Sequence, residues 1–214
     1  MKKGLPMKKD EKFVITISRQ IACGGAYIGQ QLAKRLNVFY ADRAIITQAA
    51  EHLSVKEKTI EEREETMPSF WRSFLSSAAV YPDLYVTPIM LVPTEYDFFL
   101  AESEVIKRIA AERSAVIIGR CGFHILRDHP NRVSVFLHAA SEFRLARYST
   151  LYKATEQDAE KTLAKGDKSR AQYFRNFTGC VHEDARNYDL AIDTSRLDNL
   201  DQAVDVILAY LETR

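Results

Sequence analysis

The chain has 214 residues, 46% hydrophobic and 28% charged, with a formal net charge of +1. That length suits one α/β domain with a sizeable core and a small inserted lobe. The near-neutral charge argues against nucleic acid or an anionic membrane as the main partner, and no apolar run approaches the roughly 18 residues of a membrane helix.

The opening residues, MKKGLPMKKDEK, are basic and lead into no apolar run of signal-peptide length. They are expected to form a flexible N-terminus over 1–12, ahead of one domain over 13–214. Phe13 to Ser18 (FVITIS) is short, β-branched and apolar, the signature of a buried strand. A Gly-Gly turn follows, and then a helix from Ala26 to Leu36 with apolar Ile28, Leu32, Ala33 and Leu36 at helical spacing. Val38 to Tyr40 reads as a second strand and Ile45 to Leu53 as helix. Ser54-Val55-Lys56-Glu57 is a capping-box pattern, which predicts a new helix starting at Ser54. The stretch 67–93 carries four of the six prolines with several aromatics, which predicts an inserted lobe over about 54–100. Such a lobe suits a lid or a homodimer contact.

A helix is expected from Tyr96 to Glu112. Ala115 to Gly119 (AVIIG) and Val133 to His138 (VSVFLH) are further strands. Helices follow at Ser141 to Tyr152, Glu156 to Lys165 and Lys168 to Phe177. Tyr188 to Asp193 (YDLAID) is the last strand, and Asn199 to Glu212 an amphipathic closing helix. Strands alternating with helices predict a parallel sheet in a three-layer α/β/α domain.

Ligands of such sheets bind beyond the carboxyl ends of the strands. Those ends carry Ser18 to Gly25, Asp42 and Arg43, Gly119 and Arg120, Arg144 and Arg147, and Thr194 and Ser195. Arginine suits phosphate because its guanidinium fork matches two oxygens at once. Gly24 and Gly25 before a helix offer backbone N–H groups to an anion, although a plain turn explains them equally well. The three cysteines, Cys23, Cys121 and Cys180, form no CxxC pair, and the five histidines show no metal spacing. No metal ligands are therefore assigned, and a reducing, cytoplasmic setting is expected.

The order of ITISRQIACGGAYIGQQLAKRLNVFYADRAI, AVIIGRCGFHIL, VSVFLHAASEFRLARY, GDKSRAQYFRNFTG and NYDLAIDTSRL resembles the nucleoside monophosphate kinases. The resemblance is strongest to the cytidylate kinase-like family, from about Ile15 to Ile207. It implies a P-loop NTPase-like fold and transfer of the γ-phosphoryl of ATP, with Mg2+, to CMP or dCMP. Small-molecule nucleotides are then the partners. By resemblance, Ser18, Arg19, Cys23, Gly24 and Gly25 hold donor phosphates, and Arg19, Arg144 and Arg147 stabilise the transferring group. Asp42, Arg43, Arg120, Asp167 and Arg170 hold the acceptor. The chain departs from the cytidylate kinase pattern at the P-loop Lys and its neighbouring hydroxyl residue, which read Ala26 and Tyr27. It departs again at Thr47 and Gln48, where an acceptor-side Tyr-Arg pair is usual, and at Cys121, where the turn after Arg120 usually carries Asp. Arg19 is expected to supply the missing cation. Two other readings stay open: a nucleotide-binding regulatory pseudokinase without turnover, and a kinase of another small acceptor.

Overall fold

The structure, a computed structural model, describes residues 11–60 and 94–214, and of residues 52–60 the backbone alone. The expectations for the N-terminal ten residues, and for the proline-rich stretch 67–93 with its lid or dimer contact, lie outside the described residues.

Five short strands form one parallel sheet: β1 (Val14–Arg19), β2 (Phe39–Ala41), β3 (Ala115–Ile118), β4 (Arg132–His138) and β5 (Leu190–Asp193). Their order is β2-β3-β1-β4-β5. Central β1 pairs with β3 from Val14 opposite Ala115, and with β4 from Val14 opposite Arg132. The strands are near-continuously apolar because both faces of the sheet are covered. Ile15 and Ile17 enter one core with Ile28 and Leu32 of α1 (Gly25–Leu36) and Ala203, Val204 and Ile207 of α7 (Leu200–Glu212). Val14 and Ile117 enter the other with Ile46 and Ala49 of α2 (Arg43–Ile60) and Val105, Ile106 and Ile109 of α3 (Glu95–Glu112). The period-2 alternation of the strands thus sorts residues between two cores and makes the three layers.

The described residues also include the α-helices α4 (Gly122–Ile125), α5 (Ser141–Tyr152) and α6 (Glu156–Thr178). Local chemistry sets several starts. Thr94 and Asp97 form a capping box on α3, the Thr155 side chain accepts from Asp158 N on α6, and the Asn199 side chain accepts from Gln202 N on α7.

Two helix boundaries expected from the sequence are absent. The backbone stays helical through Ser54 to Ile60, because no Gly or Pro interrupts it there and a capping pattern does not itself break a helix. α6 likewise runs through Gly166, where a break was expected. That glycine is used for contact: a Cβ there would stand 2.0 Å from Ile21 Cδ1 in the loop after β1. Close approach offsets the ~1 kcal/mol that glycine costs inside a helix.

Ile17 is 1% exposed on the central strand. Ile17→Ala is expected to cost about 2–5 kcal/mol of unfolding free energy, through lost transfer energy plus a residual cavity. Urea denaturation read by circular dichroism measures it.

Candidate active site

The loop Gln20–Gly24 joins β1 to α1 and turns on Gly24, which caps the helix at φ 88 with no side-chain cap. A side chain at Gly24 is barred twice, by the left-handed backbone and by Leu200 Cδ1, which would stand 2.6 Å from its Cβ. The first turn of this 12-residue helix is therefore open to an anion, helped by the helix dipole. Not every loop amide is free. Ile21 N donates to Asp167 Oδ1 at 2.9 Å, and Gly25 N donates to the Cys23 thiol.

Arg19, the last residue of β1, lays its side chain along this loop. A Cβ on Gly25 would stand 2.9 Å from its Cγ, and one on Gly119 would stand 2.1 Å from its Nη1. Gly119, at φ 73, is thus the platform on which the guanidinium rests. No hydrogen bond or ion pair among the described residues engages that guanidinium. Burial, then repulsion from Arg170, lowers its pKa to about 10, so it stays charged at neutral pH.

Arg19 shares a cavity of about 370 Å³ with Ser18, Arg43, Arg120 and Arg170, and Cys121, Tyr173, Phe174 and His182 complete much of the wall. Among the described residues no Asp or Glu lines it. Arg170 Nη1 donates to the Arg19 carbonyl oxygen at 2.9 Å, which ties α6 to the end of β1. A second cavity of about 540 Å³ lies on the other side of Arg19 and Arg43, lined also by Ala26, Asp42, Thr47, Gln48 and Glu51.

Arg120 and Cys121 both sit in the left-handed region, at φ 49 and φ 56, in the turn before α4. Arg120 Nη2 donates to Thr47 Oγ1 at 3.1 Å and pairs with Glu102 Oε1 at 3.2 Å. Its guanidinium carbon lies 5.3 Å from the centroid of the Tyr173 ring. Burial, then the charge of Glu102, raises the Tyr173 pKa, so its phenol stays protonated and donates to Glu102 Oε2 at 3.0 Å.

Several expected site residues sit elsewhere. Cys23 is fully buried in the core under the loop, its thiol donating to Gln20 O at 3.2 Å, so its side chain faces no ligand. Asp167 lines neither cavity. It accepts from Ile21 N with one oxygen and pairs with Arg144 through the other, so it joins loop, α5 and α6. With it, Arg144 is committed to an internal ion pair, and Arg147 also lines neither cavity. Asp42 caps α2 by accepting from Ile45 N at 3.2 Å while lining the second cavity. The residues that sequence reasoning missed are Glu102, Tyr173, Phe174 and His182. The first carried a signal, a lone acid on the apolar face of α3, but its partners lie 55 and 71 residues away in sequence.

At the positions where magnesium ligands would be sought, Ala26 has no donor atom, and the Tyr27 hydroxyl is turned to Asp201 Oδ2 at 3.1 Å. Among the described residues no group of three His, Cys, Asp or Glu could hold a metal ion.

The profile of the cytidylate kinase-like family matches residues 14–196. The chain belongs to that family. No curated protein sequence matches it. Among solved structures, an uncharacterized protein from Eubacterium ventriosum is similar over 95% of this chain and 100% of that one, with TM-score 0.71 and 22% identity. A shikimate kinase from Bacteroides thetaiotaomicron matches with TM-score 0.52 and 14% identity, over 94% of this chain and 98% of that chain. A gluconokinase from Sinorhizobium meliloti matches with TM-score 0.51 and 14% identity, over 95% and 94%. At these identities the likeness concerns the fold: this member of the family has the five-stranded parallel sheet of P-loop kinases.

Two outcomes are expected. His182 is 8% exposed against Phe136 and Phe174, and burial followed by the charge of Arg170 lowers its pKa to about 4. Between pH 6.5 and 4 the unfolded chain then binds a proton that the folded chain refuses, so stability falls as pH falls, by up to about 1.4 kcal/mol per unit from this group. Urea titrations at stepped pH should show a shallower fall for His182→Gln. Second, Asp167→Ala should speed hydrogen exchange at the Ile21 amide, read by amide NMR, while core amides of β1 keep their protection.

Proposed function

We propose that this protein transfers the γ-phosphoryl group of ATP to a nucleoside monophosphate, CMP or dCMP being the first acceptors to test. The observation that carries the reading is the cavity beside the glycine loop, which is lined by Arg19, Arg43, Arg120 and Arg170 and, among the described residues, by no carboxylate. Phosphoryl transfer is catalysed chiefly by positioning and charge neutralisation, and such a cavity suits both. Family membership and the fold point the same way.

In this reading the open first turn of α1 and the Arg19 guanidinium meet the donor phosphates. Arg120, Arg43 and Arg170 meet the acceptor phosphate, and Tyr173 and Phe174 offer aromatic surface to its base. Arg19 stands in for the cation that Ala26 does not supply. Magnesium enters with the nucleotide phosphates, since Ala26 has no hydroxyl and that of Tyr27 is turned to Asp201. No two of the three cysteines are bonded to each other, which suits a cytoplasmic setting.

A second reading, a nucleotide-binding regulator without turnover, is favoured by Ala26 and by the Tyr27 hydroxyl turned to Asp201. A panel of nucleoside monophosphates with magnesium and ATP, followed as ADP release, separates the two. ADP that depends on one acceptor is expected. Binding of ATP by calorimetry with no ADP from any acceptor would replace the enzyme reading by the regulator. With the active pair in hand, Arg19→Ala should lower kcat/KM by about 10²–10³-fold, the loss typical of one preorganised transition-state donor.

A further inference from the structure

We propose that Glu102 is a positioning residue: its buried carboxylate, without touching the ligand, holds the Arg120 guanidinium in place for an anion bound in the arginine-lined cavity. The proposal rests on the reading of that cavity as the acceptor-phosphate site.

Glu102 is 3% exposed on α3. A carboxylate this buried is costly unless donors surround it. Its partners come from three other elements: Thr47 Oγ1 of α2 donates at 2.8 Å, the Tyr173 hydroxyl of α6 donates at 3.0 Å, and Arg120 Nη2 of the turn after β3 forms an ion pair at 3.2 Å. Thr47 is used twice, since its oxygen also accepts from Arg120 Nη2 at 3.1 Å. The Thr47 and Glu102 contacts both fall on the same guanidinium nitrogen, and the Tyr173 ring and hydroxyl also meet this guanidinium. Arg120 Nε is buried without a partner among the described residues, and the residue lines the cavity. The network therefore anchors the Arg120 side chain from behind, while the residue still lines the cavity. The backbone of the turn is pinned by Gly119 N donating to Ile17 O and Gly122 N donating to Gly119 O, so what Glu102 adds is the placement of the Arg120 side chain. Tyr173 lines the cavity and Thr47 lines the neighbouring one, so helices α2 and α6 are tied to the same carboxylate.

The alternative is that Glu102 serves only as a counter-ion. The two roles predict opposite signs. Removing a counter-ion leaves the cavity more positive and tightens anion binding. Removing an anchor lets Arg120 move away from Arg19, Arg43 and Arg170, which repel it, and weakens binding.

Inorganic phosphate is titrated by calorimetry at low ionic strength into the full chain, with melting curves as the check on folding. Arg120→Ala is expected to weaken binding by about 10- to 100-fold, the equivalent of one hydrogen bond to a charged group. Glu102→Gln is expected to weaken it about tenfold, and the double variant to bind no worse than Arg120→Ala alone. If Glu102→Gln does not fold, Tyr173→Phe carries the test, with an expected loss of about fivefold. Phosphate binding unchanged or tighter in the folded Glu102 or Tyr173 variant overturns the proposal and leaves the cavity reading standing. Full additivity in the double variant overturns it too, since Glu102 would then act independently of Arg120. No phosphate binding by the wild type, or full binding by Arg120→Ala, removes the acceptor-site reading and the proposal with it.

Discussion

Four guanidinium groups facing one cavity repel one another, and the arrangement of the site follows from how that repulsion is contained. Two of the carboxylates near the cavity are tied into its surroundings. Asp167 pairs with Arg144 and accepts from Ile21 N, and Glu102 pairs with Arg120. Arg19 has no such partner and rests on the backbone of Gly119 instead. The field left over is positive and is concentrated in a partly enclosed space, where electrostatic interactions are stronger than in water. A dianionic ligand is what such a space would gain most from binding.

Helix α6 is the element that brings these parts together. Asp167, Arg170, Tyr173 and Phe174 lie within about two turns, so one helix face meets the loop after β1, the Arg19 carbonyl and Glu102. Gly166 lets that face come close enough to touch Ile21. A helix held at so many points to the glycine loop links any change at the loop to the wall of the cavity. In that linkage Asp167 accepts from Ile21 N and pairs with Arg144. It holds the loop and the helix together rather than lining the space between them.

The sheet was legible because its strands are short, β-branched and flanked by Gly, Asn or Asp, and the glycine loop and arginines could be placed from that sheet. Helix boundaries were less legible. The capping pattern at Ser54 and the glycine at 166 are local signals, and helical backbone continues past both. The site was partly legible. Arg19, Arg43, Arg120 and Arg170 do meet in one cavity, whereas Cys23 lies in the core under the loop and Asp167 and Arg144 neutralise each other.

The sequence by itself determined the alternation of strands and helices, the turn at Gly24–Gly25 and the supply of arginines at strand ends. These depend on periodicity and on neighbouring residues. Only the tertiary structure decided which arginines keep a free face and which are spent on carboxylates. Glu102 meets Thr47, Arg120 and Tyr173 across long sequence separations, and Asp167 meets Ile21 across 146 residues. Charge pairing depends on distance in space, and no local pattern in the chain records that distance.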